Sequence, residues 1–196
     1  MNTLTANIQR EWLARILDGS KKIEYRDATD YWLTRLERVG PPPFHLRLIN
    51  GMSPTAPEAT VLVEKVDIDL LSGFIRLHIT QIIECVRWDP AWHAKYPPLA
   101  PEPPRDYAAL RATPLPPTDM HLTVSPEILD AVSPHQPHTF TLPADETIYD
   151  LIGDAPEGYF TLWLEDGQRT KQAILLGLYD QCFDNIMEYT VIAAQA

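Results

Sequence analysis

Apolar positions first recur at helical spacing. Ile8, Trp12, Leu13, Ile16 and Leu17 fall on one face, and Gly19 ends the run. The period then changes. Residues 22–26 alternate, with Ile23 and Tyr25 read as the core side and Lys22, Glu24 and Arg26 on the opposite face. A second helix follows, capped by Thr29 or Asp30 and carrying Tyr31, Trp32, Leu33 and Leu36; Gly40 and the prolines at 41–43 end it. Four more segments read as strands: 3–6, 44–49, 60–67 and 74–84. In 44–49, Phe44, Leu46 and Leu48 share one side. Segments 60–67 and 74–84 read as an antiparallel pair, with Ile75, Leu77, Ile79 and Ile83 on one face. Asn50-Gly51 is a turn signal, but the two prolines that follow predict a longer loop than a tight hairpin.

From Trp88 to Pro117 the pattern breaks. Residues 97–117 hold eight prolines, which predicts an extended strap or linker. Trp88, Trp92, Tyr96 and Tyr107 would either pack it onto a globular surface or roof a cleft. Regular pattern returns in the last 80 residues. Strands are predicted over 121–124, 139–142, 159–164, 171–179 and 186–193. Helices are predicted from Ser125-Pro126-Glu127 and over 144–152. Asp166-Gly167 would close a hairpin, and three successive strands suggest a small antiparallel sheet.

Length and composition narrow the class. The chain has 196 residues, 45% of them hydrophobic, enough to bury a core. It has no apolar run of 18 residues and no basic-then-apolar start, so neither a membrane span nor a signal peptide is predicted. Cys85 and Cys182 stand alone, which reads as reduced core thiols in a cytoplasmic protein. Charge is uneven. Residues 1–90 hold 11 Lys and Arg against 12 Asp and Glu; residues 91–196 hold 5 against 15. A protein that tracks a duplex draws its affinity from phosphate neutralisation, so an acidic chain argues for a small ligand, a single flipped nucleotide or a protein partner. The acidic half is a solvated face, a surface for a basic partner, or a nucleic-acid mimic. No Gly-rich phosphate loop, HExxH, CxxC or GxSxG is present, and His135 and His138 flank a proline in a loop, so no cofactor and no metal is predicted.

The chemistry gathers in residues 19–35, GSKKIEYRDATDYWLTR. Lys21, Glu24, Arg26, Tyr31 and Trp32 offer cations, a carboxylate acceptor and rings that stack on bases. The plain alternative is a solvated strand face and two core aromatics.

The run Glu11-Trp12, Ile16-Leu17-Asp18-Gly19, Lys21, Glu24-Tyr25-Arg26, Thr29, Tyr31-Trp32 and Arg35-Leu36 resembles the ASCH domain family, whose fold is similar to PUA domains. The resemblance is to the short bacterial and phage members and covers residues 3–88. It implies an α+β, PUA-like (ASCH) small β-barrel with flanking helices, spanning residues 1–90. A Pro-rich linker or strap would follow at 91–118, then an acidic C-terminal α/β appendage with antiparallel strands at 119–196. The implied cleft binds RNA or a nucleotide- or nucleoside-like ligand. Lys21, Glu24, Arg26, Tyr31, Trp32 and Arg35 would line it, with Asn50 and Gly51 on a bordering loop. Some relatives are hydrolases: amidohydrolases acting on acylated cytidine, or ribonucleases. In an enzyme of that kind Lys21 would be catalytic, with Glu24 standing where the amidohydrolases carry a nucleophilic Thr. The remaining alternative is an acidic protein-interaction adaptor.

Overall fold

The computed structural model describes residues 1–103, 105–144 and 159–194. The chain divides into two compact units, one holding residues 1–67 and 74–102, the other 68–73 and 103–196. Both mix strands and helices, and strands dominate.

In the first unit, β1 (Thr3–Asn7), β2 (Ile23–Asp27), β3 (Phe44–Ile49), β4 (Glu58–Asp69) and β5 (Phe74–Val86) form a sheet in the order β2-β5-β4-β3-β1. β1 runs parallel to β3, while β3–β4 and β2–β5 are antiparallel. Phe44, Leu46 and Leu48 are buried opposite Val63, Val61 and Ala59, as the alternation predicts. Helices α1 (Arg10–Leu17) and α2 (Asp30–Val39) add Leu13, Ala14, Ile16, Leu36 and Val39 to the buried set. Each such Leu or Ile contributes about 1.5–3 kcal/mol over its exposed state. The short α3 (Trp92–Lys95) lies in the strap.

Three expectations are corrected here. The sheet does not close into a barrel. β1 and β2 are the ends of the strand order and share no ladder among the described residues. Instead an Arg26 side chain reaches the last carbonyl of β1, Nη2 to Asn7 O at 3.0 Å. Second, β2 faces the other way from its apolar pattern. Glu24 and Arg26 stand opposite Leu77 and Ile75, which are buried, while Ile23 and Tyr25 stand opposite His78 and Arg76. Mutual neutralisation, described below, is what makes the inward charges tolerable. Third, both cysteines are exposed. Cys85 sits on the far half of β5, beyond the reach of β2, where Ile82 and Ile83 are exposed too.

In the second unit, α4 (Tyr107–Ala112), β6 (Pro117–Thr123), α5 (Pro126–Ala131), β7 (His138–Pro143), β8 (Phe160–Glu165), β9 (Thr170–Gln181) and β10 (Ile186–Ala193) follow in chain order. The strand order is β6-β8-β9-β10-β7. The three consecutive antiparallel strands are present, flanked by β6 parallel to β8 and β7 antiparallel to β10. Ser125 caps α5, accepting from Ile128 N, with Pro126 in the first turn. The hairpin at Asp166-Gly167 forms, with Gly167 at φ +87°. The helix expected over 144–152 lies, past its first residue, outside the described residues.

One device in β9 escapes the alternation. Its pairing with β10 slips by one residue between Leu175 and Gly177, so Leu176 is extra. Ala173 and Leu175 therefore share a core with Leu178, while Ile174 and Leu176 pack on the other side with Ile192. A β-bulge of this kind flips side-chain parity within one strand. Ile68 and Asp69, at the end of β4, pair with Asp180 and Tyr179 of β9 inside this second unit.

Candidate functional site

Helix α1 ends in a left-handed glycine, Gly19 at φ +80°, and the chain turns sharply back. Lys21 N then donates to Arg15 O at 2.8 Å, and Ser20 N to Asp18 Oδ1 at 2.8 Å. This turn delivers Lys21 beside β2. Glu24, only 3% exposed, receives Lys21 Nζ at 3.1 Å on Oε2 and an Arg26 Nη1 contact on Oε1. One buried carboxylate thus sits between two cations, one on each oxygen.

Both cations are further committed. Lys21 Nζ also donates to Ile23 O. Arg26 donates to Tyr25 O at 2.8 Å and to Asn7 O at 3.0 Å. Burial holds the Lys21 ammonium below its ordinary pKa of 10.5. Glu24 offsets part of that, and the Arg26 charge adds to it.

Around this triad lies a pocket of about 570 Å³. Trp12 and Tyr25 line it, with Lys21 Nζ at 5.6 Å and 4.8 Å from their ring centres. Leu99 and Glu102 of the strap line it as well. The strap is tied down beside the turn, Leu99 N donating to Ser20 Oγ at 3.0 Å and Arg15 Nε to Pro97 O at 3.4 Å. Its aromatics pack instead of lining the pocket. Trp92 lies under the Arg10 guanidinium at 4.2 Å and edge-on to Trp88 at 4.8 Å.

The expected site residues therefore separate. Lys21, Glu24 and Arg26 meet in the pocket. Tyr31, Trp32 and Arg35 form a neighbouring stack on α2. Arg35 lies 5.2 Å from the Tyr31 ring and 4.9 Å from the Trp32 ring, and it donates to Thr5 O. Arg26, 5.1 Å from the Trp32 ring, links the two groups. Asn50 and Gly51 lie elsewhere, in a shallow depression of about 410 Å³ with Asn7, Gln9 and Met52. Asn50 is engaged structurally, donating to Ile8 O at 2.9 Å and accepting from Arg10 Nε at 3.0 Å.

Trp12, Tyr25, Leu99 and Glu102 are among the pocket residues that pattern reading misses. Periodicity puts Trp12 on the apolar face of α1 and Tyr25 on the core side of β2, yet they are 37% and 47% exposed. Large exposed rings at the rim of a charged turn are a signal visible only once burial is known. Leu99 and Glu102 carry no local signal, since Leu99 meets Ser20 across 79 residues of chain.

A second buried carboxylate lies in the same unit. Asp67 is fully buried and meets His78 Nε2 at 2.9 Å, Lys65 Nζ at 3.2 Å and Arg76 Nε at 3.2 Å. Burial pushes its pKa up, but the His78 hydrogen bond and the neighbouring Arg76 and Lys65 outweigh it and hold the carboxyl below 3.8. It does not line the pocket.

No family model, curated protein or solved structure matches this chain.

Proposed function

We propose that the first unit is an ASCH-type binding module, built on an open sheet, whose pocket takes a nucleotide-like ligand by its base. The observation that carries this is the pairing of a preorganised, buried Lys21–Glu24–Arg26 triad with two exposed rings, Trp12 and Tyr25, around one pocket. A volume of about 570 Å³ lies in the ordinary range for small-ligand sites. The rings supply stacking faces, which accept any base. Glu24 fixes the two cations, and the donors of Arg26 are spent largely on the protein's own carbonyls. Arg26 is thus a positioning residue more than a phosphate clamp. The ASCH-like motif supports the same reading.

Calorimetry of the full chain against nucleosides, nucleotides and short RNAs tests it. Binding by the wild type should fall about tenfold or more in Trp12→Ala, since stacking on one ring is worth about 1–3 kcal/mol per base. Thermal unfolding of each variant checks that the fold is retained, as the partial exposure of both rings predicts. Unchanged affinity in both Trp12→Ala and Tyr25→Ala would move the ligand out of this pocket.

One observation favours a second reading, hydrolysis of a modified nucleoside or of RNA in the same pocket. Lys21 has its basicity lowered by burial and touches a carboxylate, as an amine acting in proton transfer needs. Product analysis of each bound ligand separates the readings: conversion that is lost in Lys21→Met identifies the enzyme.

A further inference from the structure

The strap segment 97–102 lies beyond the ASCH-like run, yet it supplies one wall of the pocket. Its anchoring is specific. Leu99 N is held by the Ser20 hydroxyl, and that hydroxyl in turn donates to Arg15 O at 3.3 Å. Three residues on, Glu102 lines the same pocket. The pocket's charges sort into spent and unspent. Lys21, Glu24 and Arg26 satisfy one another, whereas Lys22 and Glu102 each lack an ion-pair partner among the described residues. No ion pair joins Lys22 to Glu102. A single ligand therefore meets a pure acceptor at Glu102 and a pure donor at Lys22, in a pocket that Trp12 and Tyr25 also line.

We infer that Glu102 is the specificity residue of this pocket: its carboxylate accepts from an exocyclic amine on the ring of the ligand. This rests on the pocket being the base-binding site proposed above. An ionised carboxylate takes only donors, so a ring edge that presents a carbonyl in the same place leaves two acceptors face to face.

The test is calorimetry on the full chain and on Glu102→Gln. Gln keeps the size and can donate as well as accept. Probes come in matched pairs: adenosine with inosine and cytidine with uridine, which differ in the exocyclic amine. The wild type should prefer the amine-bearing member of at least one base pair by about tenfold. Glu102→Gln should shrink that preference to within about threefold. If the wild type binds these probes without an amine preference, or keeps its preference in Glu102→Gln, the Glu102 role is overturned while the pocket reading stands. If neither nucleosides nor nucleotides bind the wild type, the pocket reading fails, and this role with it.

Discussion

Glu24 decides how the site behaves at the scale of one residue. It is 3% exposed and holds Lys21 and Arg26 at once. Glu24→Ala would leave two largely buried cations without their counter-charge, so a loss of about 3–5 kcal/mol is expected in urea unfolding. Lys21 should titrate below 10.5, because burial disfavours its charged form. Side-chain nitrogen NMR reads that midpoint directly, and Arg26→Met should raise it by removing a repelling neighbour. Asp67 makes a separate pH prediction. Its folded pKa is depressed below 3.8, so its pairing stabilises the fold above that pH and is lost as pH falls through the folded value. Acid unfolding of the wild type below about pH 4 should therefore be steeper than that of Asp67→Asn, which starts less stable at neutral pH.

At the scale of elements, the turn after α1 is the hinge of the arrangement. Gly19 adopts φ +80°, and a Cβ there would meet nothing within 4 Å. Gly19→Ala should thus cost only the backbone strain, about 1 kcal/mol, measured by thermal unfolding. Ligand affinity should drop further than stability alone explains, because the same turn aims Lys21 and Ser20. The periodic elements were readable from the sequence where one force dominated. β3 buries Phe44, Leu46 and Leu48 as its alternation says, and α1 buries Leu13 and Ile16. β2 was not readable in the same way. Its inward residues are Glu24 and Arg26, held by each other instead of by apolar contact, so a rule that sends Ile23 and Tyr25 inside chooses the wrong face. The bulge at Leu176 hides for a related reason: a run of apolar residues in 173–178 fits either parity. Lys21, Glu24 and Arg26 were legible because they cluster in sequence. Glu102 was not, because a proline-rich path brings it to them.

The whole molecule carries a formal charge of −11, nearly all of it in the second half of the sequence. Retention on immobilised duplex RNA should be absent at physiological salt, and any affinity for a nucleoside should barely change with ionic strength, since few phosphate contacts are made. No helix among the described residues is long and apolar enough to cross a membrane. The division of the chain has a further consequence. The second unit is not one stretch of sequence: it takes residues 68–73 out of the middle of the first, where Ile68 and Asp69 pair with β9 and Leu70 N donates to Leu178 O at 2.9 Å. Leu70 and Leu71 pack on its core. A gene cut at any single position therefore strands part of one unit on the wrong fragment. A piece ending at residue 102 carries two leucines stripped of their cover, and a piece beginning at 103 has a bare flank on β9. End-to-end fusion at one junction therefore moves neither unit whole.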